Sequence, residues 1–368
     1  MKNDDDKRIV MTLDAGGTNF VFSAIRGNTD IIDPITLPSN ANDLNACLTT
    51  IIDGFNKVKK NIQGKPAAIS FAFPGPTDYP NGIIGDLVNL PSFRGGVALG
   101  PMLKSVFKIP VFINNDGDLF VYGEAIDGLL PYINEELAKT GSPKCYNNLF
   151  GITLGTGFGA GIVRNGELFI GDNASAAEIW AVRNKVYPAL SAEESVSIRG
   201  VRYAYAKNAG INVEKAPEPK EIYNIALGKV PGDKNAAVEA FREFGTVMGD
   251  ALANAVTLVD SLVVIGGGLG GAWKLFLPAV INEMNSNLET YDGERLNRME
   301  SKAFNLEDVH ERAAFMRGEV KEIIVPVTGE KILYDPLKRV GVGMTRLGTS
   351  RAVSLGAYAF ALNALDQI

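Results

Sequence analysis

Two stretches of this chain, 138 residues apart, share one pattern that restricts the folds open to it. In the first, Arg8 to Asp14 reads as a strand with Ile9, Val10, Met11 and Leu13 apolar. Ala15-Gly16-Gly17-Thr18 interrupts it, and Phe20 to Ile25 continues as a second strand. In the second, Phe150 to Val163 reads the same way around Gly155-Thr156-Gly157. Superposing the two needs no gap: Gly17-Thr18 falls on Gly155-Thr156, Phe20 on Phe158 and Arg26 on Arg164. The matches lie on the turn and on one face of the second strand, which reads as a duplicated lobe. Strand, glycine turn, strand is neither a Walker A loop nor a dinucleotide fingerprint, since both lead into a helix. Glycines at such a turn let backbone N–H groups approach phosphate oxygens. Asp14 can hold a hydrated Mg²⁺ and Thr18 can donate a hydroxyl, although a plain Gly-Gly hairpin has the same residues. Two such turns suggest a nucleotide gripped between two related lobes.

Strands and helices alternate around these turns, which predicts an α/β architecture. Ala41 to Lys60 is an amphipathic helix, and Ala67 to Phe73 is a buried strand ended by Pro74-Gly75-Pro76. Asn89-Leu90-Pro91 forms another turn. Val111 to Ile113 is an apolar strand end followed by Asn114-Asn115-Asp116, with a helical pattern beginning near Leu119. A strand end can fix a carboxylate beside a cleft, so Asp116 is the candidate general base. The competing reading is a turn in which Asp116 or Asp118 caps the next helix. Leu129 to Asn147 reads as an inserted helix and loop. That places residues 1–126 plus 352–368 in an N-terminal lobe and 127–351 in a C-terminal lobe. Arg199 to Lys207, Lys220 to Leu227 and Asn235 to Val259 read as helices. After the strand Leu262 to Ile265 comes Gly266-Gly267-Gly268-Leu269-Gly270-Gly271, which satisfies G-x-G-x-x-G. A dinucleotide fold needs a second strand ending in an acid about 20 residues on. The polar region Thr290 to Arg298 offers no such strand. This loop is therefore read as a helix N-terminus lying against a nucleotide's adenosine or phosphates.

Bulk properties exclude other classes. The 368 residues suffice for two domains, and the net charge of −6 carries no basic block for nucleic acid. No run approaches the roughly 20 apolar residues of a membrane span. The opening MKNDDDKRIV lacks the apolar core of a signal peptide. Cys47 and Cys145 are the only cysteines, which points to a reducing, cytoplasmic setting. His310 is the only histidine and stands in a charged, surface-like stretch.

In this order the motifs resemble those of the ROK family of sugar kinases, within the actin and hexokinase superfamily. LDAGGTN resembles the first phosphate motif. ITLGTGFGAGIVRNG, followed by Gly171 and Glu178, resembles the second. VVIGGGLGG resembles the adenosine motif, and PGPTD, NLP and INND resemble the sugar-side loops. The likeness spans nearly the whole chain, and the ordered set is specific where each motif alone is modest.

The resemblance implies a two-lobed ribonuclease H-like α/β fold with an interdomain cleft, acting as an ATP-dependent kinase on the 6-hydroxyl of a hexose. Glucose is the default, with fructose, mannose and N-acetylated hexosamines open. Asp116 would be the base, and Gly75, Asn89 and Asn115 would line the sugar pocket. Glu178 and Glu193 would hold sugar hydroxyls. Asp14 would position Mg²⁺ through water. Gly16, Gly17, Thr18, Gly155, Thr156 and Gly157 would hold phosphates, and Gly266, Gly267, Gly268 and Leu269 the adenosine. A homodimer is also implied. The chain departs from the family where its zinc site stands: Ala181 replaces the histidine, and no cysteine lies between Glu178 and Glu193. Structural zinc needs about four N or S ligands, so no zinc is expected. Two other readings exist. One is a sugar-responsive repressor, for which the dozen or so residues before Asp14 are too few for a helix-turn-helix. The other is a catalytically silent sugar-binding protein.

Overall fold

The apolar run Ile9-Val10-Met11 becomes the centre of a sheet covered on both faces, as a strand with a parallel neighbour requires. The computed structural model describes residues 3–75, 77–85 and 92–367. Its chain divides into two units. The first comprises Met1–Gly128, Gly161–Ala176 and Leu347–Ile368; the second comprises Leu129–Ala160 and Ala177–Arg346. The segment 161–176, which the sequence assigns to the second lobe, groups with the first unit.

In the first unit β1 (Ile9–Ala15) and β2 (Asn19–Arg26) pair antiparallel across the glycine turn, with Asp14 opposite Val21. The short strands β3 (Thr29–Asp30) and β4 (Ile35–Pro38) both pair with β2. On the other side of β1 lies β5 (Pro66–Ala72), parallel to it. The strands β6 (Thr77–Asp78) and β7 (Ile83–Ile84) form a small separate hairpin. Parallel to β5 runs β8 (Val111–Asn114), giving the order β3-β2-β1-β5-β8.

Helix α1 (Leu44–Asn61) starts at Asp43, whose side chain accepts from the Ala46 N–H at 3.0 Å. Its Cys47, Ile51, Phe55 and Val58 pack with Phe22, Phe71 and Phe73 and with α2 (Leu99–Phe107) over one face of the sheet. The C-terminal helix Thr349–Asp366 covers the other face through Leu355, Tyr358 and Leu362 against Val10, Ile25 and Ala68. It also lies against α3 (Asp116–Asp127) at backbone distance. A Cβ built on Gly356 would overlap the Leu119 carbonyl, and one built on Gly123 the Ala352 carbonyl. Only glycine permits that approach, which explains the small-residue character of GAYAFALNAL.

The second unit begins with α4 (Leu129–Lys139). Strand β9 (Leu149–Leu154) and the first residues of β10 (Phe158–Arg164) belong to it; the rest of β10 and β11 (Glu167–Leu168) lie in the segment grouped with the first unit, and the chain then continues into α5 (Ile198–Ala209), α6 (Pro219–Ala226) and α7 (Lys234–Val259). Next come β12 (Leu262–Gly266), α8 (Trp273–Met284), the hairpin β13 (Asn287–Glu289) and β14 (Arg295–Asn297), and β15 (Lys302–Asn305). Helix α9 (Val309–Arg317), the hairpin β16 (Lys321–Ile324) and β17 (Lys331–Tyr334), and β18 (Arg339–Met344) complete it. The sheet order is β11-β10-β9-β12-β18-β15, with β12 parallel to both β9 and β18. Its first five strands repeat the order of the other sheet, so the duplication read from the glycine turns extends to topology. At the start of β18, Arg339 and Asp335 form a buried ion pair. Burial pushes the Asp335 carboxyl up. The Arg339 guanidinium and the N–H groups of Glu319 and Leu337 together outweigh that and hold it below the usual range.

In the polar region 290–298, β14 pairs only with β13, in an antiparallel hairpin outside the main sheet, so it supplies no dinucleotide strand. One sequence expectation changes. The helix expected near Leu119 begins at Asp116, because the Asn115 side chain caps it by accepting from the Gly117 N–H at 2.8 Å. Among the described residues no helix is long and apolar enough to cross a membrane.

Candidate active site

In the first unit the chemistry gathers at the carboxyl ends of the parallel strands. Asp14 is in register with Ala72, and Ala72 with Asn114. Gly75 follows just beyond one strand and Asn115-Asp116 beyond the next. Ligands of open α/β sheets bind along such an edge. Asp116 is reachable by water, yet the protein packed around it pushes its carboxyl above the ordinary carboxylate range. The Gly117 N–H opposes the shift at 2.9 Å, and the charge of Asp14 reinforces it. Burial raises the Asp14 carboxyl as well. A site that disfavours its own two carboxylate charges favours a cation or an acquired proton, and Asp14 fits a hydrated Mg²⁺ on that ground.

The first glycine turn is held from its carbonyl side. The Ser39 hydroxyl donates to the Gly17 carbonyl at 2.6 Å, and the Ser39 N–H donates to the Thr18 carbonyl at 2.9 Å. Among the described residues no hydrogen bond takes up the N–H groups of Gly16, Gly17 or Thr18. They remain available to an anion. On the sugar-side loop, Asn115 Nδ2 donates to the Tyr79 hydroxyl at 3.3 Å, and that hydroxyl donates to the Phe73 carbonyl at 3.1 Å. Burial raises the Tyr79 phenol well above its usual value, so it stays protonated. A Cβ on Gly75 would stand 3.1 Å from the same hydroxyl. Gly75 and Asn115 thus meet at Tyr79, and Asn89 lies outside the described residues.

The second unit assembles the other predicted residues. The Gly155 N–H donates to the Gly157 carbonyl at 3.1 Å, and the Ile198 N–H donates to the Gly155 carbonyl at 3.0 Å. The Phe158 N–H donates to Glu193 Oε2 at 3.0 Å. A Cβ on Gly157 would meet that same oxygen at 2.8 Å, so a side chain there would displace the carboxylate from its present place on the turn. Arg199 pairs with Glu193 at 2.9 Å and with Glu194 at 2.8 Å. Glu193, predicted to face sugar, therefore also braces the turn carrying Thr156. The third glycine run lies beside it: Gly266 is in register with Thr153, and Gly267, at φ +88°, approaches the Leu154 backbone too closely for any side chain. Leu269 is buried, and the space around Gly268 is open.

Glu178 starts a short 3₁₀ turn, Ile179–Ala181, and the Trp180 indole N–H donates to its carboxylate. Ala177 holds a left-handed φ of +62° immediately before it. Such backbone costs a non-glycine residue about 1 kcal/mol and marks positions where geometry is constrained. The loop from Val182 to Ser195 is organised around Asn184, which is fully buried. Its Oδ1 accepts from the Val186 N–H at 2.9 Å and the Tyr187 N–H at 3.0 Å. Its Nδ2 donates to Ser195 Oγ at 2.9 Å and the Ser191 carbonyl at 3.2 Å. Together with the Ala192 N–H to the Val182 carbonyl at 2.8 Å, these bonds bring the Glu178 and Glu193 turns alongside each other. Replacing Asn184 by Ala orphans several buried groups and is expected to cost about 3 kcal/mol. Urea unfolding of the variant checks this, and an unchanged midpoint would remove Asn184 from that role.

These units, turns and strand ends define a class. The chain belongs to the ROK family, whose model matches residues 10–308. A glucokinase from Parabacteroides distasonis of known structure is 54% identical, covering 99% of each chain, with a TM-score of 0.89. A glucokinase from Halalkalibacterium halodurans is 28% identical over 293 residues, 73% of this chain and 82% of its own. An N-acetyl-D-glucosamine kinase from Vibrio parahaemolyticus is 27% identical over 267 residues, 70% of this chain and 83% of its own. The ROK glucokinase of Streptomyces griseus, solved with glucose and AMPPNP, shares the fold at 17% identity, with a TM-score of 0.59 over 95% of this chain and 98% of its own.

Ser39, Tyr79, Asn184 and Arg199 escaped sequence reasoning. Each acts through contacts with residues distant in the chain or in a loop without periodicity. Tyr79 alone carried a local signal, an aromatic inside the Pro- and Gly-rich segment PGPTDYPNG.

Proposed function

We propose that this protein is an ATP-dependent kinase that phosphorylates the 6-hydroxyl of a hexose, with glucose the preferred substrate. The observation that carries the reading is the row Asp14, Ala72, Asn114 across neighbouring strand ends, with Asp116 raised above the ordinary carboxylate range just beyond it. A base of raised pKa takes a hydroxyl proton more readily than an ordinary carboxylate. Asn115, fixed by Tyr79 and by its cap bond, would orient the sugar beside it. Glu178, steadied by Trp180, and Glu193 would bind further hydroxyls. The N–H groups of the Gly16–Thr18 turn and the braced Gly155–Gly157 turn would cradle phosphate oxygens, and Gly266 to Leu269 would lie against the adenosine. Mg²⁺, placed through water by Asp14, would supply charge neutralisation on those oxygens. Phosphoryl transfer depends mostly on such placement and charge, with little covalent work for the protein. A reducing, cytoplasmic location suits an enzyme that draws on ATP.

The second reading is an N-acetylhexosamine kinase, favoured by the likeness to the Vibrio enzyme. An ADP-release assay with glucose, fructose, mannose and N-acetylglucosamine separates the two. Glucose is expected to give the highest kcat/KM by tenfold or more, about 1.4 kcal/mol of discrimination. A preference for N-acetylglucosamine would move the assignment to the second reading. Absence of turnover on every sugar, with sugar binding retained, would indicate a silent binding protein.

A further inference from the structure

The chain has two tryptophans, and one of them is left open. Trp180 is 45% exposed, although its turn is anchored by the buried Ile179 beside it. A lone exposed apolar side chain is ordinary. This one differs in being tied to a charge. Its indole N–H donates to Oε2 of Glu178, a charge-assisted bond of the stronger kind. Among the described residues no other hydrogen bond reaches that carboxylate, so its second oxygen is free to accept. The polar tip of the indole is thus occupied while much of its apolar body faces solvent. Its neighbours in sequence are small, with Ala176 and Ala177 before Glu178 and Ala181 after the ring. Ala174 and Ala177, on the way into the turn, both hold left-handed φ, at +50° and +62°. Strain of that kind clusters where a ligand is clamped. The ring, Glu178 and the Glu193 turn beside them all belong to the second unit.

We propose that Trp180 determines which hexose is accepted: its indole is the platform on which the C–H face of a pyranose lies, while Glu178 accepts from a hydroxyl at the edge of the same sugar. The inference rests on the hexose kinase reading and adds the criterion of choice. An aromatic wall with a few fixed polar groups is how small-molecule sites combine affinity with orientation. Here one hydrogen bond fixes wall and acceptor together. In glucose the hydroxyls at C2, C3 and C4 are all equatorial, so both faces offer C–H bonds to a ring. Mannose, by its axial C2 hydroxyl, and galactose, by its axial C4 hydroxyl, carry oxygen on one face. Allose, by its axial C3 hydroxyl, carries it on the other. Pressed against an indole, such a hydroxyl loses water and gains no partner. Whichever face meets Trp180, at least one of these epimers is penalised. Glu178 reads the edge of the sugar, and Trp180 reads its face.

Two substitutions and the intrinsic fluorescence test this. Trp180→Ala removes ring and N–H, whereas Trp180→Phe keeps a ring. Trp180→Ala is expected to raise the glucose KM about tenfold with kcat within about twofold, as loss of binding shared by ground and transition states does. The preference for glucose over mannose and galactose, or over allose, is expected to shrink by a similar factor, and Trp180→Phe to recover most of both. Glucose is expected to shift the tryptophan emission of the parent and of Trp273→Phe, and to leave that of Trp180→Phe unmoved. A purely structural role would alter neither the epimer preference nor the emission. Parental preference over all three epimers in Trp180→Ala, or an emission change that follows Trp273 alone, overturns the inference while the kinase reading stands. A parent that neither binds nor phosphorylates any hexose overturns both.

Discussion

Asn in place of Asp116 is expected to lower kcat by about 10³-fold while glucose affinity, measured by calorimetry without ATP, stays within a few-fold of the parent. The amide keeps the size and the hydrogen bond to the site but cannot take the hydroxyl proton. The same variant is expected to melt at higher temperature near neutral pH. The folded state raises the Asp116 carboxyl, so it binds that proton more tightly than the unfolded chain does. Stability therefore falls as pH rises from the ordinary carboxylate value through the folded one, and the loss persists above it. An amide does not ionise and escapes that loss. The parent's kcat/KM should decline on the acid side at a pH above the ordinary carboxylate range. A variant turning over at the parental rate would take the base role from Asp116.

The second large effect concerns shape. Gly356→Ala is expected to destabilise the protein by about 3 kcal/mol, the upper end for an inserted methyl group. The new methyl would meet the Leu119 carbonyl, which is helix backbone and cannot rotate aside. Relief requires the C-terminal helix to lift from α3. Because α3 begins with Asp116, activity is expected to fall along with the melting temperature, even though residue 356 is far along the chain from any site residue. Thermal unfolding with parallel ADP-release assays checks both. An unchanged melting temperature would mean that the two helices accommodate the methyl group after all.

The central strands were readable because parallel strands buried on both faces must be largely apolar, as Ile9 to Met11 and Leu262 to Ile265 are. The glycine turns were readable because their spacing repeats. The start of α3 was misplaced, since Asn115 caps through a side chain whose partner lies two residues on, and cap and turn share the same residue types. Among site residues, the carboxylates and glycines stood out by type. Their supports did not: Ser39 reaches a turn 22 positions back, and Glu193 braces one 35 positions back, which no local pattern reveals.

The buried pair of Arg339 and Asp335 has a bearing on acid stress. Asp335 is held below the usual carboxylate range and Asp116 above it, so a falling pH neutralises the two in sequence. Stability contributed by Asp335 is present above its unfolded value and disappears only as the pH drops through the lower folded one. Mild acidification would therefore silence the proposed chemistry while the ion pair still anchors β18. In that interval the proposed base carries a proton while this ion pair still makes its contribution, and neutralisation reverses the first change.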